Sequence, residues 1–381
     1  METKLFSDMT PEERIESLLR SGQLDTEAAH LLHSCSGALP LEKADAMVEN
    51  VIGTYQMPYS VAPDFLINGK SYLVPLVGEE PYVTKSLCGG ASLAKNNGGF
   101  IATNTGAVMI AQIEMIDIPN PHTSRLKLYE QKETLAARAN EADPVLVSLG
   151  GGCFDVEVRV LNAAPAPILV VHLLINTLDA MGAQVANAMA EAAAPLLEHI
   201  TGGRANLKVL SNLVTHRLVR ARVCIRKEDL GGEAFVDRVV SAYAFAAADP
   251  YRATTNNKGV MNGMVPVVLA TGNDTRAVES GVHAYASLTG TYRPVTIWEK
   301  NRDGDLEGMI EVPMAVGTVG GTTRVHPMAQ LSLKLLKVES GLELAQVIAA
   351  AGLAANLGVL KSLTTVGLHK DFDVSHQRSM K

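Results

Sequence analysis

The sequence predicts an α+β protein in which a small α+β unit interrupts a larger, mostly helical domain. Its 381 residues are too many for one ordinary compact domain, so two or three structural units are expected. Hydrophobic residues make up 47% and charged residues 19% of the chain, as in a globular protein with a large core. Residues 107–212 follow a β-α-β-β-α-β order, and the flanking segments are largely helical.

The first segment should contain short helices followed by a β-hairpin. A pair of helices is predicted over 11–32, where a threonine cap, a proline and two acidic residues mark the start. Two apolar runs over 65–77 flank Asn68-Gly69, which is a strong hairpin signal. The hairpin would deliver Glu79 and Glu80 to its end.

The middle segment alternates between strand and helix patterns. β-Branched or alternating residues predict strands over 107–118, 156–175 and 207–210. Charges on one face predict a helix over 124–142, and an alanine-rich run predicts another over 179–200.

The last segment should hold the central buried helix. A helix is predicted over 237–248, a long buried helical segment over 259–283, strands over 292–312 around Trp298, and a helical pair over 331–364. The predicted units are a large domain at 1–106 and 213–368, a small domain at 107–212, and a terminal segment at 369–381.

Composition excludes several classes of function. A net charge of −7 without a cluster of basic residues argues against nucleic-acid binding. The four cysteines are widely separated, which indicates reduced thiols and neither disulfides nor a metal site. No secretory signal is recognisable, and the longest uncharged stretch, 259–273, is too short and polar to span a membrane. We therefore expect a cytoplasmic protein, and its apolar content favours an oligomer.

The segment 249–263, with Thr271-Gly272-Asn273-Asp274, is the most informative stretch. It places Lys258 among asparagines and glycines, and Asp274 follows sixteen residues later. A desolvated ammonium needs a carboxylate partner, so we expect these two groups to pair. An ordinary structural ion pair beside a turn is the alternative.

The segment 179–184, Asp-Ala-Met-Gly-Ala-Gln, is a second candidate site. No GxGxxG motif follows a strand, so a Rossmann site is not supported. An acidic cap at Asp179 and small residues at a helix start would let backbone amides approach an anion such as pyrophosphate. Ordinary helix capping explains the same residues.

These segments, with Glu49–Gly53, Glu79–Pro81 and Gly317–Gly321, resemble 3-hydroxy-3-methylglutaryl-coenzyme A (HMG-CoA) reductase of the second, bacterial class. The resemblance runs from Met9 to Gly367. It implies a ferredoxin-like, non-Rossmann NAD-binding domain that interrupts the large domain. It also implies a homodimer or higher even oligomer, with the active site between subunits.

The resemblance implies a role for each candidate residue. Glu80 would be the proton donor, Lys258 would polarise the thioester carbonyl, and Asp274 would lie between them. A desolvated ammonium stabilises the charge that builds on oxygen when the carbonyl accepts hydride. The implied substrate-binding residues are Arg252 for the free carboxylate, unless it forms an interface salt bridge, together with Asn212 and Tyr82.

The implied cofactor is NAD(H). The segment 179–184 matches the family's dinucleotide signature, with Gln184 where the family has Asn. Asp143 lies just upstream of a triple glycine, where an acid would bond the adenosine ribose and repel a 2′-phosphate. The expected cofactor-binding residues are Asp143, Asp179, Met181, Gly182, Ala183, Gln184, Gly320 and Gly321.

The C-terminal residues depart from the family. Phe372 stands where the family has a flap histidine that protonates the coenzyme A thiolate, and His369 and His376 flank it. Tyr82 stands where a serine is usual, and its bulk would narrow the pocket.

We therefore expect an NADH-dependent interconversion of HMG-CoA with mevalonate and coenzyme A, slowed by the lost histidine. The alternatives are a catalytically impaired relative that binds dinucleotide or coenzyme A as a regulatory module, or a copy whose final residues, 371–381, are not native.

Overall fold

The computed structural model describes residues 5–34, 39–164 and 166–365. The first part forms helices and an antiparallel hairpin. Its elements are α1 (Pro11–Arg20), α2 (Thr26–His33), α3 (Leu41–Met47), β1 (Tyr59–Ile67), β2 (Lys70–Val77), α4 (Pro81–Asn96) and β3 (Ile101–Asn104). The predicted helix pair and hairpin are both confirmed. Asn68 and Gly69 have φ values of 51° and 79°, as a tight two-residue hairpin turn requires.

The middle part is a four-stranded antiparallel sheet covered by helices. Its elements are β4 (Val108–Ile116), α5 (Pro121–Glu130), α6 (Lys132–Asn140), α7 (Pro144–Ser148), β5 (Gly152–Leu161), β6 (Ile168–Asn176), α8 (Ala183–Thr201) and β7 (Arg204–Ser211). The strand order β5-β6-β4-β7 confirms the ferredoxin-like arrangement. The region predicted to be helical over 124–142 is helical, and Gln131 divides it into α5 and α6.

The last part adds a second antiparallel sheet, of order β3-β8-β10-β9, and the central helices. Its elements are β8 (Leu218–Ile225), α9 (Lys227–Leu230), α10 (Glu233–Ala248), α11 (Pro250–Ala270), α12 (Thr275–Tyr285), β9 (Thr296–Lys300), β10 (Leu306–Pro313), α13 (Gly321–Val325), α14 (Pro327–Leu336) and α15 (Gly341–Thr364). The predicted strands around Trp298 and the final helical pair are confirmed. Trp298 is buried and donates from Nε1 to Asn356 Oδ1 at 2.8 Å.

The segment predicted to be helical over 259–283 consists of two helices, and the first begins earlier than predicted. The central helix α11 begins at Pro250, where the Asp249 side chain caps it by accepting from the Arg252 amide at 3.0 Å. It ends at Ala270, and four residues separate it from α12. The sequence gives no sign of this break. Because α11 is buried over most of its surface, its residues lack the amphipathic period that would mark where the helix ends.

Separate hydrophobic clusters occupy the two sheet-containing regions. One consists of residues between Ala111 and Ile200, beneath the helices of the middle part. The larger cluster surrounds α11 and α15. This arrangement fits the predicted small and large domains, whose boundaries at 106/107 and 212/213 stay a prediction.

Helix α15 is long and apolar enough to cross a membrane by length and composition alone. Within the described residues it is the core helix of the larger cluster, and 72% of its most apolar window is buried. Its apolar character is therefore accounted for by packing against α4 and α11.

Glycines allow α4 and α11 to pack flush against α15. A Cβ atom at Gly90 of α4 would overlap the backbone of Ala354, and one at Gly263 of α11 would overlap the backbone of Ala351. The neighbouring Gly89 faces open space. The separation of the three helices is thus set by backbone-to-backbone contact.

We expect Gly90→Ala to destabilise the protein by about 1–3 kcal/mol, because the new methyl group must push two helices apart. Gly89→Ala is the matched control and should stabilise by up to about 1 kcal/mol, the helix-propensity gain at an open site. Urea unfolding of both variants measures the difference. Equal stabilities would contradict the flush contact.

Candidate active site

The structure brings Glu80 and Lys258 together. Glu80 follows the hairpin and occupies the N-cap position of α4, but its side chain makes no capping bond. Lys258 is the ninth residue of α11. Its Nζ donates to Glu80 Oε2 at 3.0 Å, and the two side chains are 60% and 33% exposed. Residues 178 positions apart thus form a half-exposed ion pair beside the hairpin end.

Lys258 and Asp274 do not pair within one chain. Lys258 lies twelve residues before the end of α11, which is about 18 Å along the helix axis. Asp274 instead caps α12, where its Oδ1 accepts from the backbone amide and Nε of Arg276, both at 3.0 Å. The Arg276 side chain is the main cause of a lowered pKa of Asp274. In the single chain the Lys258 side chain is largely exposed, so its desolvation stays a prediction for the assembled protein.

Arg252 and Asn212 have side chains available for a ligand. Arg252 lies half-buried in the first turn of α11, and its guanidinium forms no ion pair with any described residue. Burial lowers its pKa. Asn212 is exposed after β7, and a Cβ atom at Gly281 would overlap its carbonyl, so it lies against α12. Asn212 is therefore beside the helix that Asp274 caps.

Tyr82 is not an open hydrogen-bond donor in this structure. Its side chain is 4% exposed, and its hydroxyl donates to Ser362 Oγ at 2.6 Å near the end of α15. The expected contact with substrate thus competes with a bond to the core helix. The proximity of Tyr82 to Glu80 follows from their positions at the start of α4.

Asp179 does not cap the helix that follows it, contrary to the prediction. Gly182 is the N-cap of α8, with a φ of 95° and no room for a Cβ atom against Thr177. Asp179 Oδ1 instead accepts from the backbone amide of Gly341 at 2.8 Å, at the start of α15. Ala183 and Gln184 begin α8, and the segment still presents a helix N-terminus.

A second glycine segment joins this one. Ala180 and Val319 form a parallel bridge, and the Thr318 amide donates to the carbonyl of Asp179 at 2.9 Å. Gly320 and Gly321 have φ values of 82° and 51°, and open space lies where their Cβ atoms would be. Two segments far apart in sequence therefore form one continuous surface, which we call the glycine ridge (179–184 and 317–321).

Asp143 caps a short helix, and its expected contact with the cofactor stays a prediction. Its Oδ1 accepts from the Leu146 amide at 2.9 Å and so caps α7. The triple glycine 150–152 follows directly after that short helix, with φ values of 89° for Gly150 and 107° for Gly152. Asp143 is half-exposed at the start of this turn.

Sequence reasoning missed two residues that hold the glycine ridge. Asn273 Nδ2 donates to the carbonyl of Gly317 at 3.0 Å, and its Oδ1 accepts from the Gly317 amide at 2.8 Å. Arg217 is 2% exposed and donates to the carbonyls of Ala180, Met181 and Val316. Asn273 lies in the segment 271–274, for which the sequence suggested no role for this residue. No sequence pattern around Arg217 pointed to a function.

The interpretations of Phe372, His369 and His376 fall outside the described residues. Within the described ranges, no cluster of three or more His, Cys, Asp or Glu side chains could hold a metal ion.

Comparison with known proteins decides the family. The model of the hydroxymethylglutaryl-coenzyme A reductase family matches residues 10–378. The chain belongs to this family. It is 46% identical to the HMG-CoA reductase of Archaeoglobus fulgidus over 98% of this chain and 85% of that protein. A probable HMG-CoA reductase of Borreliella burgdorferi is 32% identical over 85% of this chain and 75% of that protein.

A solved structure confirms the class and fold. The class II HMG-CoA reductase of Streptococcus pneumoniae, bound to NADPH in open conformations, matches with a TM-score of 0.92 and 37% identity. The match covers 94% of this chain and 99% of that one. This family member is therefore an oxidoreductase of the HMG-CoA reductase type, and its ferredoxin-like unit is that of class II.

Proposed function

We propose that the chain reduces the thioester of HMG-CoA to mevalonate and coenzyme A with two equivalents of NADH, or runs the reverse reaction, in the cytoplasm. The main structural support is the Glu80–Lys258 ion pair, whose charged atoms lie 3.0 Å apart at the end of the hairpin. An ammonium beside a carboxyl group can stabilise a developing oxyanion and supply the proton that neutralises it. Family membership supports the type of reaction, and this ion pair can provide the oxyanion stabilisation and the proton that the reaction needs.

Lys258 polarises the acyl carbonyl, and Glu80 donates a proton to the aldehyde oxygen. Two hydride additions are needed, with coenzyme A leaving between them and mevaldehyde as the intermediate. Arg252 receives the free carboxylate of the acyl group, because its half-buried guanidinium is unpaired among the described residues. Asn212 orients the substrate.

The glycine ridge fits a nicotinamide dinucleotide. Open space in front of Gly320 and Gly321 lets a ligand approach the backbone closely, and the N-terminus of α8 favours an anion. The bound dinucleotide supplies hydride to the acyl carbon. The Streptococcus pneumoniae neighbour binds NADPH, whereas Asp143 favours NAD(H) here because a carboxylate repels a 2′-phosphate.

The active site lies between two subunits of a homodimer or higher even oligomer. A single chain leaves the Lys258 side chain 60% exposed and Asp274 at the other end of the helix. A second subunit can cover Lys258 and bring its own Asp274 beside it. The site would then hold Glu80, Lys258 and Asp274 together, away from solvent.

A catalytically impaired binding module is the second candidate. Phe372 in place of the flap histidine favours it, because the thiolate then lacks its usual proton donor. The retained Glu80–Lys258 pair argues against it, since a site without catalysis has no need of that geometry.

The decisive experiment is a steady-state NADH assay of the purified protein with HMG-CoA and with free mevaldehyde. We expect Lys258→Met to lower kcat by about 10²–10³, the usual worth of one oxyanion donor. Lys300→Met, which removes an exposed lysine paired with Asp237, is the control. Turnover unaffected by Lys258→Met would refute the assignment. NADH binding without turnover of either substrate would select the binding module.

The subunit arrangement predicts complementation between two inactive variants. A heterodimer of Lys258→Met and Asp274→Asn, isolated with two affinity tags, should regain about half the wild-type activity, because one of its two sites is intact. The homodimers of each variant are the controls. No recovery in a stable heterodimer would place both residues of a site on one subunit.

Cofactor choice tests the role of Asp143. We expect the wild type to prefer NADH, and Asp143→Asn to improve use of NADPH relative to NADH by about tenfold, or about 1.4 kcal/mol. Asparagine caps a helix as well as aspartate does, so stability should not change. Asp155→Asn is the charge-matched control. A wild-type preference for NADPH would contradict the proposal.

A further inference from the structure

Arg217 is a buried cation between the two halves of the glycine ridge. It directly precedes β8 and is 2% exposed. Its backbone is tied to the large sheet, because the Met314 amide donates to the Arg217 carbonyl at 3.0 Å, next to the Leu218–Pro313 pair of β8 and β10. The guanidinium thus projects from a rigid element.

The guanidinium donates to the first half of the ridge and to Val316, which directly precedes the second half. Nη1 donates to Met181 O at 3.1 Å and to Thr177 Oγ1 at 3.0 Å, while Nη2 donates to Val316 O at 2.5 Å. Both Nη atoms also reach Ala180 O. A planar fork can bind several carbonyls at fixed angles, which a lysine ammonium cannot do.

These bonds orient the backbone of the first segment. The carbonyl and the following N–H of a trans peptide point in opposite directions. Because the Met181 carbonyl points at Arg217, the Gly182 N–H points away from it, and this amide has no acceptor among the described residues. Gly182 is the N-cap of α8, so its amide directly precedes the free amides of the first turn.

The second segment of the ridge is positioned by the same guanidinium. Val316, which accepts from Arg217, directly precedes Gly317, whose Cβ would overlap the backbone of residues 179–181. Moving the guanidinium would therefore shift both segments together. Burial lowers the pKa of Arg217 to about 10, which leaves the side chain charged at neutral pH. The fork of donors is thus maintained.

We propose that Arg217 is the positioning residue that shapes the glycine ridge to receive the pyrophosphate of the nicotinamide dinucleotide. The inference rests on the proposed function. Arg217 acts through the backbone of the ridge and does not touch the substrate or the reacting atoms. A residue that served only the fold would instead affect all ligands alike, in proportion to lost stability.

The test is ligand binding to Arg217→Lys and to Thr177→Val, which keeps the side-chain shape but removes one acceptor of the guanidinium. Fluorescence titration should show that Arg217→Lys weakens NADH and ADP by about tenfold or more, and Thr177→Val by about threefold. Affinity for adenosine, which lacks the pyrophosphate, and the KM for HMG-CoA should change by less than about twofold. If Arg217→Lys does not fold, Thr177→Val carries the test.

Trp298→Phe is the control for general destabilisation, because Trp298 is buried and bonded to Asn356, away from the ridge. It should lower Tm without changing the affinity for NADH. Wild-type affinity of the variants for NADH and ADP would overturn this inference without affecting the proposed function. An equal loss of affinity for adenosine and HMG-CoA would do the same. If the wild-type protein binds neither NADH nor NADPH, both the proposed function and this inference are overturned.

Discussion

The flush packing of α4 and α11 on α15 determines the rest of the site. Glu80 stands at the start of α4 and Lys258 within α11, so both groups are carried by helices that contact the same third helix through glycines. A backbone-to-backbone contact leaves little freedom in the helix separation. The core therefore fixes the relative position of the two backbone segments that carry the ammonium and the carboxylate, which lie 3.0 Å apart.

A buried polar network fixes the rotation of α11. Asn256 and Asn257 point into the core, where Asn256 accepts from Asn356 at 3.0 Å and Asn257 accepts from the Val295 amide at the same distance. Successive helix residues are about 100° apart, so burying these two amides turns Lys258 toward the surface. Buried amides of this kind must be satisfied, which discourages other rotations of the helix.

Local signals predicted most of the fold, and long-range bonds account for what was missed. The Asn68-Gly69 turn and the alternating strands are set by neighbours in sequence, so they could be read directly. Asp179 was misplaced because its partner, Gly341, is 162 residues away. Lys258 and Asp274 do not meet within one chain, because a spacing of sixteen residues means proximity only if the chain turns, and here most of that spacing is helix. Arg217 lies in no recognisable sequence motif, since its acceptors are distant backbone carbonyls and the hydroxyl of Thr177.

The bond between Tyr82 and Ser362 anchors the last turn of α15 to the first turn of α4. Tyr82 lies two residues after Glu80, so the acid and the end of the core helix are joined through one short segment. A sliding movement of α15 along its axis would therefore break this bond or carry Glu80 with it.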